Sequence, residues 1–368
     1  MTQVQQIYIE LLKASIWEKA TQLELHIDDL SQITRLAAFQ GTGPLVFDQL
    51  LKLRDLSIPE ALRMQMKQQC MMSIMQQNSM IPLLTQAWKA LKEEKIHPVL
   101  LKGFGLAQYY PQPYLRQWGD IDIYVGPSNY HTACGKLRET FPNAMHSDKE
   151  DEDYKHYNFD FDNTAIETHR VSMTFAHPGD RKYYERLEES CLTKEGPKME
   201  VGDLQVTLPE DTFNVFFVFL HTWHHFETTG MNMKQVCDVA VLLHAKRDVL
   251  DRERLKEMLT KLHLMEVWQL MMYILVHHLG MQQDECPFYT DGCKDRAESL
   301  FERVLTEGQA RRSEKIEAEG VSYLRCKWLT FQSRMADSRL VRPYTPRFAR
   351  HKVVADVLHG IERLLQKK

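Results

Sequence analysis

Apolar residues in the first quarter of the chain recur three and four positions apart, as at Ile7 and Leu11. This spacing places them on one face of a helix, so we predict a helical region over residues 1–95. Breaks that contain glycine or proline, at 41–44 and 58–59, divide this region into separate helices.

Methionines are frequent between positions 64 and 80 and keep the helical spacing. Such a stripe has two interpretations: thioethers that fill gaps in a core, or a soft surface that binds metals or peptides. We favour the core, because methionine commonly fills irregular gaps there. The residues concerned are Met64, Met66, Met71, Met72, Met75 and Met80.

Between residues 96 and 208 the pattern changes to short apolar runs separated by turns. Val99–Leu101 is typical of a buried strand, and the glycine turn after it leads into a short helix. Asp120–Val125 alternates polar and apolar residues, which predicts a half-buried strand. Two further alternating runs, 156–161 and 165–171, predict a hairpin.

From residue 209 the helical spacing returns and continues towards residue 368. The predicted fold class is therefore α+β, with a small mixed-sheet core over 96–208 and helical regions over 1–95 and 209–368. The sequence contains no internal repeat, low-complexity tract or Pro/Ser-rich linker. We therefore expect the three regions to pack against one another.

Composition excludes several classes of protein. Lys and Arg number 46 and Asp and Glu 50, a formal charge of −4, so we expect a nucleic acid to be bound only locally, as an acceptor. The 7 cysteines form no CxxC pair, which argues against a disulfide framework or a zinc knuckle. No apolar run reaches the roughly 18 residues of a membrane helix, and the first residues lack a signal-peptide pattern. We therefore expect a cytoplasmic protein without a membrane partner.

Acidic side chains are the strongest chemical signal. Alternation along a strand places Asp120 and Asp122 on one side of the sheet, and does the same for Glu167 and His169 on a later strand. If the two strands are neighbours, Glu167 becomes a third carboxylate beside the pair. Like charges at one place are costly without a cation, and hard divalent ions prefer oxygen ligands, so we predict a Mg²⁺ site with one or two ions. An Asp-x-Asp alone is common on exposed strands, so the prediction depends on its context.

That context is a phosphate-binding pattern upstream of the carboxylates. Lys102, Gly103 and Gly105 belong to a turn that opens a helix, where backbone N–H groups can receive phosphate oxygens. Arg116 follows, and its guanidinium can clamp a phosphate. A glycine turn, an arginine and metal-binding carboxylates are what phosphoryl or nucleotidyl transfer requires.

The ordered motifs resemble a known family. It is the uncharacterised bacterial nucleotidyltransferase-like family of the polymerase-beta superfamily, and the likeness lies in LKGFGL at 101–106, YYPQP at 109–113, Arg116, DIDIYV at 120–125 and IETH at 166–169. Further likeness is found at the helical break 41–45 and at His221, His225, Gly230 and 234–238. The resemblance therefore covers most of the chain.

The resemblance implies a nucleotidyltransferase core and a role for each matched residue. Asp120 and Asp122 would be metal ligands, and Glu167 the third acid, which in this superfamily helps to deprotonate the acceptor hydroxyl. The glycine turn and Arg116 would contact phosphate. The positions that complete the implied site are Lys102 and Lys234 as further phosphate contacts, and His169, His221 and Asp238 as accessory residues.

Two positions depart from the family pattern. Phe104 follows Gly103 where classical members of the superfamily have serine or glycine, and Lys234 stands where the family usually has arginine, which replaces a bidentate contact by a point charge. Lys234 and Asp238 lie one helical turn apart and form either a surface pair or part of the site.

Our first hypothesis is a Mg²⁺-dependent nucleotidyltransferase that moves a nucleoside monophosphate from an NTP to an unidentified acceptor hydroxyl. One alternative, motivated by Phe104, is a catalytically weak or inactive binding or regulatory protein of the same fold. Another is a toxin-like transferase that acts on tRNA or protein.

Four further features have more than one interpretation. His221 and His225 share a helix face and are spaced as zinc ligands, but no third ligand is marked, so packing beside the cleft is favoured. Trp118 either stacks on a base or is buried against the helices. The acidic stretch 148–153 is expected to be a solvated loop rather than a mobile lid over the site. The basic stretch 339–352 is expected to be a solvated connection rather than an RNA-binding segment.

Overall fold

The computed structural model of the protein describes residues 1–19, 27–53, 56–146, 155–309, 325, 339 and 341–346. The acidic stretch 148–153 and positions 347–352 of the basic stretch lie outside the described residues. The helices are α1 (Gln3–Trp17), α2 (Ile27–Phe39), α3 (Gly43–Lys52), α4 (Glu60–Glu93), α5 (Lys102–Ala107), α6 (Tyr130–Thr140), α7 (Pro178–Cys191), α8 (Asp211–Thr228), α9 (Met233–Lys246), α10 (Arg252–Lys261), α11 (Met265–His277) and α12 (Lys294–Glu307). The strands are β1 (Val99–Leu101), β2 (Asp120–Tyr124), β3 (Met145–His146), β4 (His156–Phe161), β5 (Thr164–His169), β6 (Lys198–Val201) and β7 (Leu204–Thr207).

The predicted α+β fold is confirmed. Within the described residues, a mixed sheet of five strands has the order β1-β2-β5-β4-β3, and β6 and β7 form a separate hairpin. β2 runs parallel to β5, whereas the other neighbouring strands of the large sheet are antiparallel. The pattern predicts β1, β2, β4 and β5, but it does not reveal β3, α7, β6 or β7.

One face of the sheet packs on helices. Ile121 and Ile123 of β2 and Ile166 of β5 are fully buried in a core that they share with side chains of α4 and α6. Their neighbours along each strand therefore point to the opposite face, which α8 and α9 cover. This arrangement places the polar residues of β2 and β5 between the sheet and the C-terminal helices.

The helical regions before and after the sheet share a second core. Apolar side chains of α1 and α3 pack with those of α8, α9 and α11 in one continuous cluster. Hydrogen bonds link the same regions, since Trp17 Nε1 donates to the Leu279 carbonyl and Gln40 Nε2 to the Val304 carbonyl. The expected packing of the regions against one another is thus seen, whereas the boundaries at 95 and 208 stay predictions.

The interpretation of the methionine stripe as core filler is wrong for most of its members. Met66 and Met80 are buried, because they belong to the two cores that α4 joins at its opposite ends. The exposed members are Met64, Met71, Met72 and Met75. α4 is 34 residues long, so its middle passes between the two cores and the helical spacing there does not imply burial.

No helix in the described part of the chain has the length and apolar character to cross a membrane. Each cysteine that the structure describes is a free thiol, in keeping with the absence of a CxxC pair.

Candidate active site

Three carboxylates meet on the covered face of the sheet because β2 pairs with β5. The parallel register places Asp122 directly opposite Glu167, and Asp120 lies two residues earlier on the same side of β2. Asp120, Asp122 and Glu167 each offer an oxygen, and these three atoms lie within 4.8 Å of one another. Carboxylate oxygens at this separation are the ligands that a hard divalent cation prefers.

Asp122 is the most enclosed member of this cluster, with 1% of its side chain exposed. Its Oδ1 accepts hydrogen bonds from Lys102 Nζ and His169 Nε2, each at 2.8 Å. Its Oδ2 is buried and has no hydrogen-bond partner among the described residues. A buried carboxylate oxygen without a partner is costly. The cluster therefore fits a cation, which would supply the missing contact.

Charges within the cluster stabilise one another. Burial opposes the charge of Lys102, but the carboxylates of Asp122, Asp120 and Glu167 outweigh burial and raise the pKa of Lys102. Burial likewise opposes ionisation of Glu167, yet its hydrogen bond with His169 and the charge of Lys102 lower the pKa of Glu167. The imidazole of His169 is fully buried, and its hydrogen bonds to Asp122 and Glu167 overcome that burial and raise its pKa. Lys102 is thus held as a cation beside an ionised Glu167.

A cavity of about 240 Å³ lies between these carboxylates and the C-terminal helices. Glu167 and His169 are not among its described lining residues, because they flank Asp122 from the neighbouring strand. The sequence-predicted site residues that do line it are Lys102, Gly103, Arg116, Asp120, Asp122, His221, Lys234 and Asp238. Residues that are up to 136 positions apart in the chain therefore converge on one space.

Lys234 brings a positive charge to this cavity from the first turn of α9. Burial and the nearby charge of Arg116 lower its pKa. Among the described residues it has no ion-pair partner, since Asp238 is engaged by Arg116. The interpretation of Lys234 and Asp238 as a surface pair is wrong, because Asp238 is buried. An anion that enters the cavity would therefore meet an uncommitted cation.

Arg116 makes a different contact from the predicted phosphate clamp. Its Nε and Nη2 donate to the two carboxylate oxygens of Asp238 at 2.9 and 2.6 Å, and the Tyr110 hydroxyl donates to Asp238 Oδ1 at 2.8 Å. Arg116 and Asp238 are only 5% and 4% exposed. The guanidinium fork is thus used within the protein, where Asp238 raises the pKa of Arg116 against the effect of burial. The pair joins the segment before β2 to α9.

His221 and His225 face the cavity from α8 and contact each other. Their Nε2 atoms are 3.0 Å apart, and His225 Nδ1 lies 3.1 Å from the Thr229 hydroxyl. Burial and the charge of Lys102 lower the pKa of both rings, that of His225 to about 4. Two neutral imidazoles can share one hydrogen bond, so one Nε2 donates and the other accepts. Among the described residues, no group of three metal-ligand side chains includes them.

The two glycines of the turn have different environments. Gly103 lines the cavity, whereas Gly105 does not, and a Cβ atom at Gly105 would lie 3.0 Å from Leu208, so a glycine there allows close packing. Phe104 packs edge-on against Trp118, with 5.2 Å between ring centroids. Trp118 is 6% exposed, which favours the buried interpretation over base stacking, although its edge reaches the cavity wall.

Sequence reasoning missed two residues of the site. His156 lies directly opposite His169 in the β4–β5 pairing, and its Nε2 is 3.9 Å from Glu167 Oε2. Counting back from the predicted hairpin turn would have found this pair, because antiparallel register is fixed by the turn. Tyr110, the second donor to Asp238, lies in the YYPQP motif, but its role could not be predicted because its partner is 128 residues away.

A larger cavity, of about 560 Å³, lies beside the neighbouring face of α8. Apolar side chains such as Leu220 and Leu264 form most of its wall, and it contains no part of the carboxylate cluster. Tyr344 also lines it and is buried against Phe226. This aromatic residue of the basic stretch is therefore part of the core and is not free to stack on a nucleic acid.

The mixed sheet carries its carboxylates on adjacent parallel strands, beside a cavity that Lys102 and Lys234 also line, and this arrangement fits a protein of nucleotidyltransferase type. A family model described as "Uncharacterised nucleotidyltransferase" matches residues 27–280. The match covers more than half of the chain, and the protein belongs to this family. The matched region runs from α2 to just beyond α11, so it contains the sheet, the carboxylates and both helices that close the cavity. No curated protein and no solved structure matches the chain.

Proposed function

We propose that the protein transfers a nucleoside monophosphate from an NTP to an acceptor hydroxyl, with Mg²⁺ as its cofactor. The observation that carries this proposal is the cluster of Asp120, Asp122 and Glu167, in which Asp122 Oδ2 is buried without a partner. A buried carboxylate oxygen without a partner is costly, and a bound cation would remove that cost. The family to which the chain belongs supports the same reaction class.

The residues around the cavity divide into two groups by their chemistry. Asp120, Asp122 and Glu167 would hold the cation. When bound, the cation would lower the pKa of an attacking hydroxyl and offset the negative charge of the triphosphate. Lys234 and the turn at Gly103 form the part of the cavity that suits phosphate oxygens, because Lys234 has no described ion-pair partner.

In the proposed reaction, the acceptor oxygen attacks the α-phosphorus and forms a new P–O bond. The bond between the α-phosphorus and the oxygen that bridges to the β-phosphorus breaks, so inorganic pyrophosphate leaves with that electron pair. The proton of the acceptor hydroxyl passes to Glu167, which the resemblance assigns to this step, and then to solvent. The products are the nucleotidylated acceptor and pyrophosphate.

The test is transfer from NTPs labelled at the α-phosphate to acceptors in a cell lysate, with purified protein and Mg²⁺. We expect label on an acceptor with wild-type protein and its loss with Asp120→Asn or Asp122→Asn. A matched control is Asp203→Asn, since Asp203 is an exposed carboxylate in the turn between β6 and β7. Equal labelling by the Asp122→Asn and wild-type proteins would contradict the proposal.

The same assay separates the alternatives. Tight NTP binding without transfer to any acceptor would indicate a binding or regulatory protein of this fold. Label recovered in tRNA or in a protein band would identify a toxin-like transferase by its acceptor.

A further inference from the structure

The carboxylate cluster already contains a positive charge that the chain itself supplies. Lys102 Nζ lies 2.8 Å from Asp122 Oδ1, and 12% of the Lys102 side chain is exposed. Asp120 and Glu167 also attract this charge. Lys102 therefore stands within the cluster rather than at the surface around it.

Asp122 can offer a metal ion only one of its oxygens. Lys102 and His169 occupy Oδ1, whereas Oδ2 is buried and free of hydrogen bonds to described residues. Two-metal sites for phosphoryl transfer hold ions roughly 3.5–4 Å apart, and such ions share carboxylate ligands. Asp122 cannot bridge two ions unless Lys102 or His169 gives up its contact with Oδ1, and His169 is completely buried beside it.

The backbone delivers Lys102 to this place. Leu101, the residue before it, is paired with Asp122 across β1 and β2, so Lys102 follows at the end of the strand beside the cluster. Its φ angle is 43°, in the left-handed region that non-glycine residues seldom adopt, and the fold maintains it there. This uncommon backbone conformation indicates that the surrounding structure holds Lys102 in its position beside the cluster.

Charge balance leads to the same conclusion. Three carboxylates carry −3, and Lys102 reduces this to −2, before any charge on His169 is counted. One divalent cation then offsets the charge that the three carboxylates and Lys102 leave, whereas two would bring these four side chains to +2. We propose that Lys102 takes the place of a second metal ion, so that the site binds one divalent cation, through Asp122 Oδ2 with Asp120 and Glu167.

This inference rests on the proposed function, because it concerns the same metal site. Its test is a Mn²⁺ titration of the full-length protein without nucleotide, in which electron paramagnetic resonance measures the free ion. We expect the wild-type protein to bind one Mn²⁺ per chain, and Asp122→Asn to bind none. Lys102→Met, which removes the charge and keeps a long side chain, should bind a second Mn²⁺ or bind the first at least tenfold more tightly.

Lys102→Arg is the matched control, since it keeps the positive charge and should still bind one ion. Two Mn²⁺ per wild-type chain would overturn the inference and leave the proposed metal site intact. The inference would also fail if Lys102→Met bound one ion with the affinity of the wild-type protein. Absence of Mn²⁺ binding to the wild-type protein would instead contradict the metal site on which the proposed function depends. If Lys102→Met does not fold, Lys102→Gln, which also removes the charge, gives the same comparison with the wild-type protein.

Discussion

Replacing Asp238 by alanine is expected to destabilise the protein far more than an ordinary surface substitution. The change removes the acceptor of three hydrogen bonds, two from Arg116 and one from Tyr110. It leaves the guanidinium of Arg116, which is 5% exposed, without a counter-charge. Breaking a buried ion pair in this way costs about 3–5 kcal/mol of unfolding free energy.

Smaller changes to the same network should cost less. Tyr110→Phe removes one hydrogen bond to a charged acceptor and leaves the ion pair in place, so about 1.5–3 kcal/mol is expected. The double variant Arg116→Met with Asp238→Leu removes both charges, so it should be more stable than Asp238→Ala alone. The order of the three variants is therefore as informative as their absolute values.

Urea denaturation followed by circular dichroism measures these free energies. The expected order of stability is wild type, Tyr110→Phe, the double variant and then Asp238→Ala. An Asp238→Ala protein within about 1 kcal/mol of wild type would refute the reasoning, since it would place the Arg116 charge in water. A double variant that is less stable than Asp238→Ala would also refute it, because charge removal would then bring no relief.

Two further predictions concern stability. Burial raises the pKa of Glu188 to about 7, so the folded protein holds this proton more tightly than the unfolded chain and loses about 3 kcal/mol of stability as pH rises from 4 to 8. Glu188→Gln can still accept the hydrogen bond from the Ser172 amide, and it should lose less stability over this pH range. Urea denaturation at pH 4 and pH 8 would contradict this if the variant lost as much stability as the wild-type protein. Gly230 has a φ of +98°, and a Cβ atom there would lie 2.1 Å from the Gly308 carbonyl oxygen, so Gly230→Ala should lower the melting temperature. Gly135→Ala in α6 is the control, because a Cβ atom there meets nothing within 4 Å, and it should raise stability by up to about 1 kcal/mol. A lower melting temperature in both variants would argue against the explanation.

The part of the site that depends on local alternation could be predicted from the sequence. Asp120 and Asp122 share a face of β2, and Glu167 and His169 share a face of β5, as the period of a strand requires. The pairing of these two strands was a condition of the prediction, and the structure supplies it. Hydrophobic residues between the polar ones fix this register, because a shift by one residue would turn the carboxylates into the apolar core against α4 and α6 and turn Ile121 and Ile166 towards the polar cavity.

Contacts between distant segments could not be predicted in this way. In the sequence, Arg116 has the features of a phosphate ligand. In the structure it pairs with Asp238, which is 122 residues away. A buried guanidinium needs a carboxylate partner, and tertiary packing decides which carboxylate lies beside it. The exposed methionines of α4 have the same origin, since helical spacing identifies a face but not what covers it. The role of Lys102 also depends on tertiary structure, through the pairing of β1 with β2.

Calorimetric titration of each NTP into the protein, with and without Mg²⁺, tests the central claim most directly. Asp120, Asp122 and Glu167 are proposed to hold the cation that lets a triphosphate approach them, so an NTP should bind only when Mg²⁺ is present. Asp120→Asn combined with Asp122→Asn should abolish that binding, whereas Asp203→Asn should leave it unchanged. NTP binding that is equally tight without Mg²⁺, or that survives the double substitution, would contradict the claim.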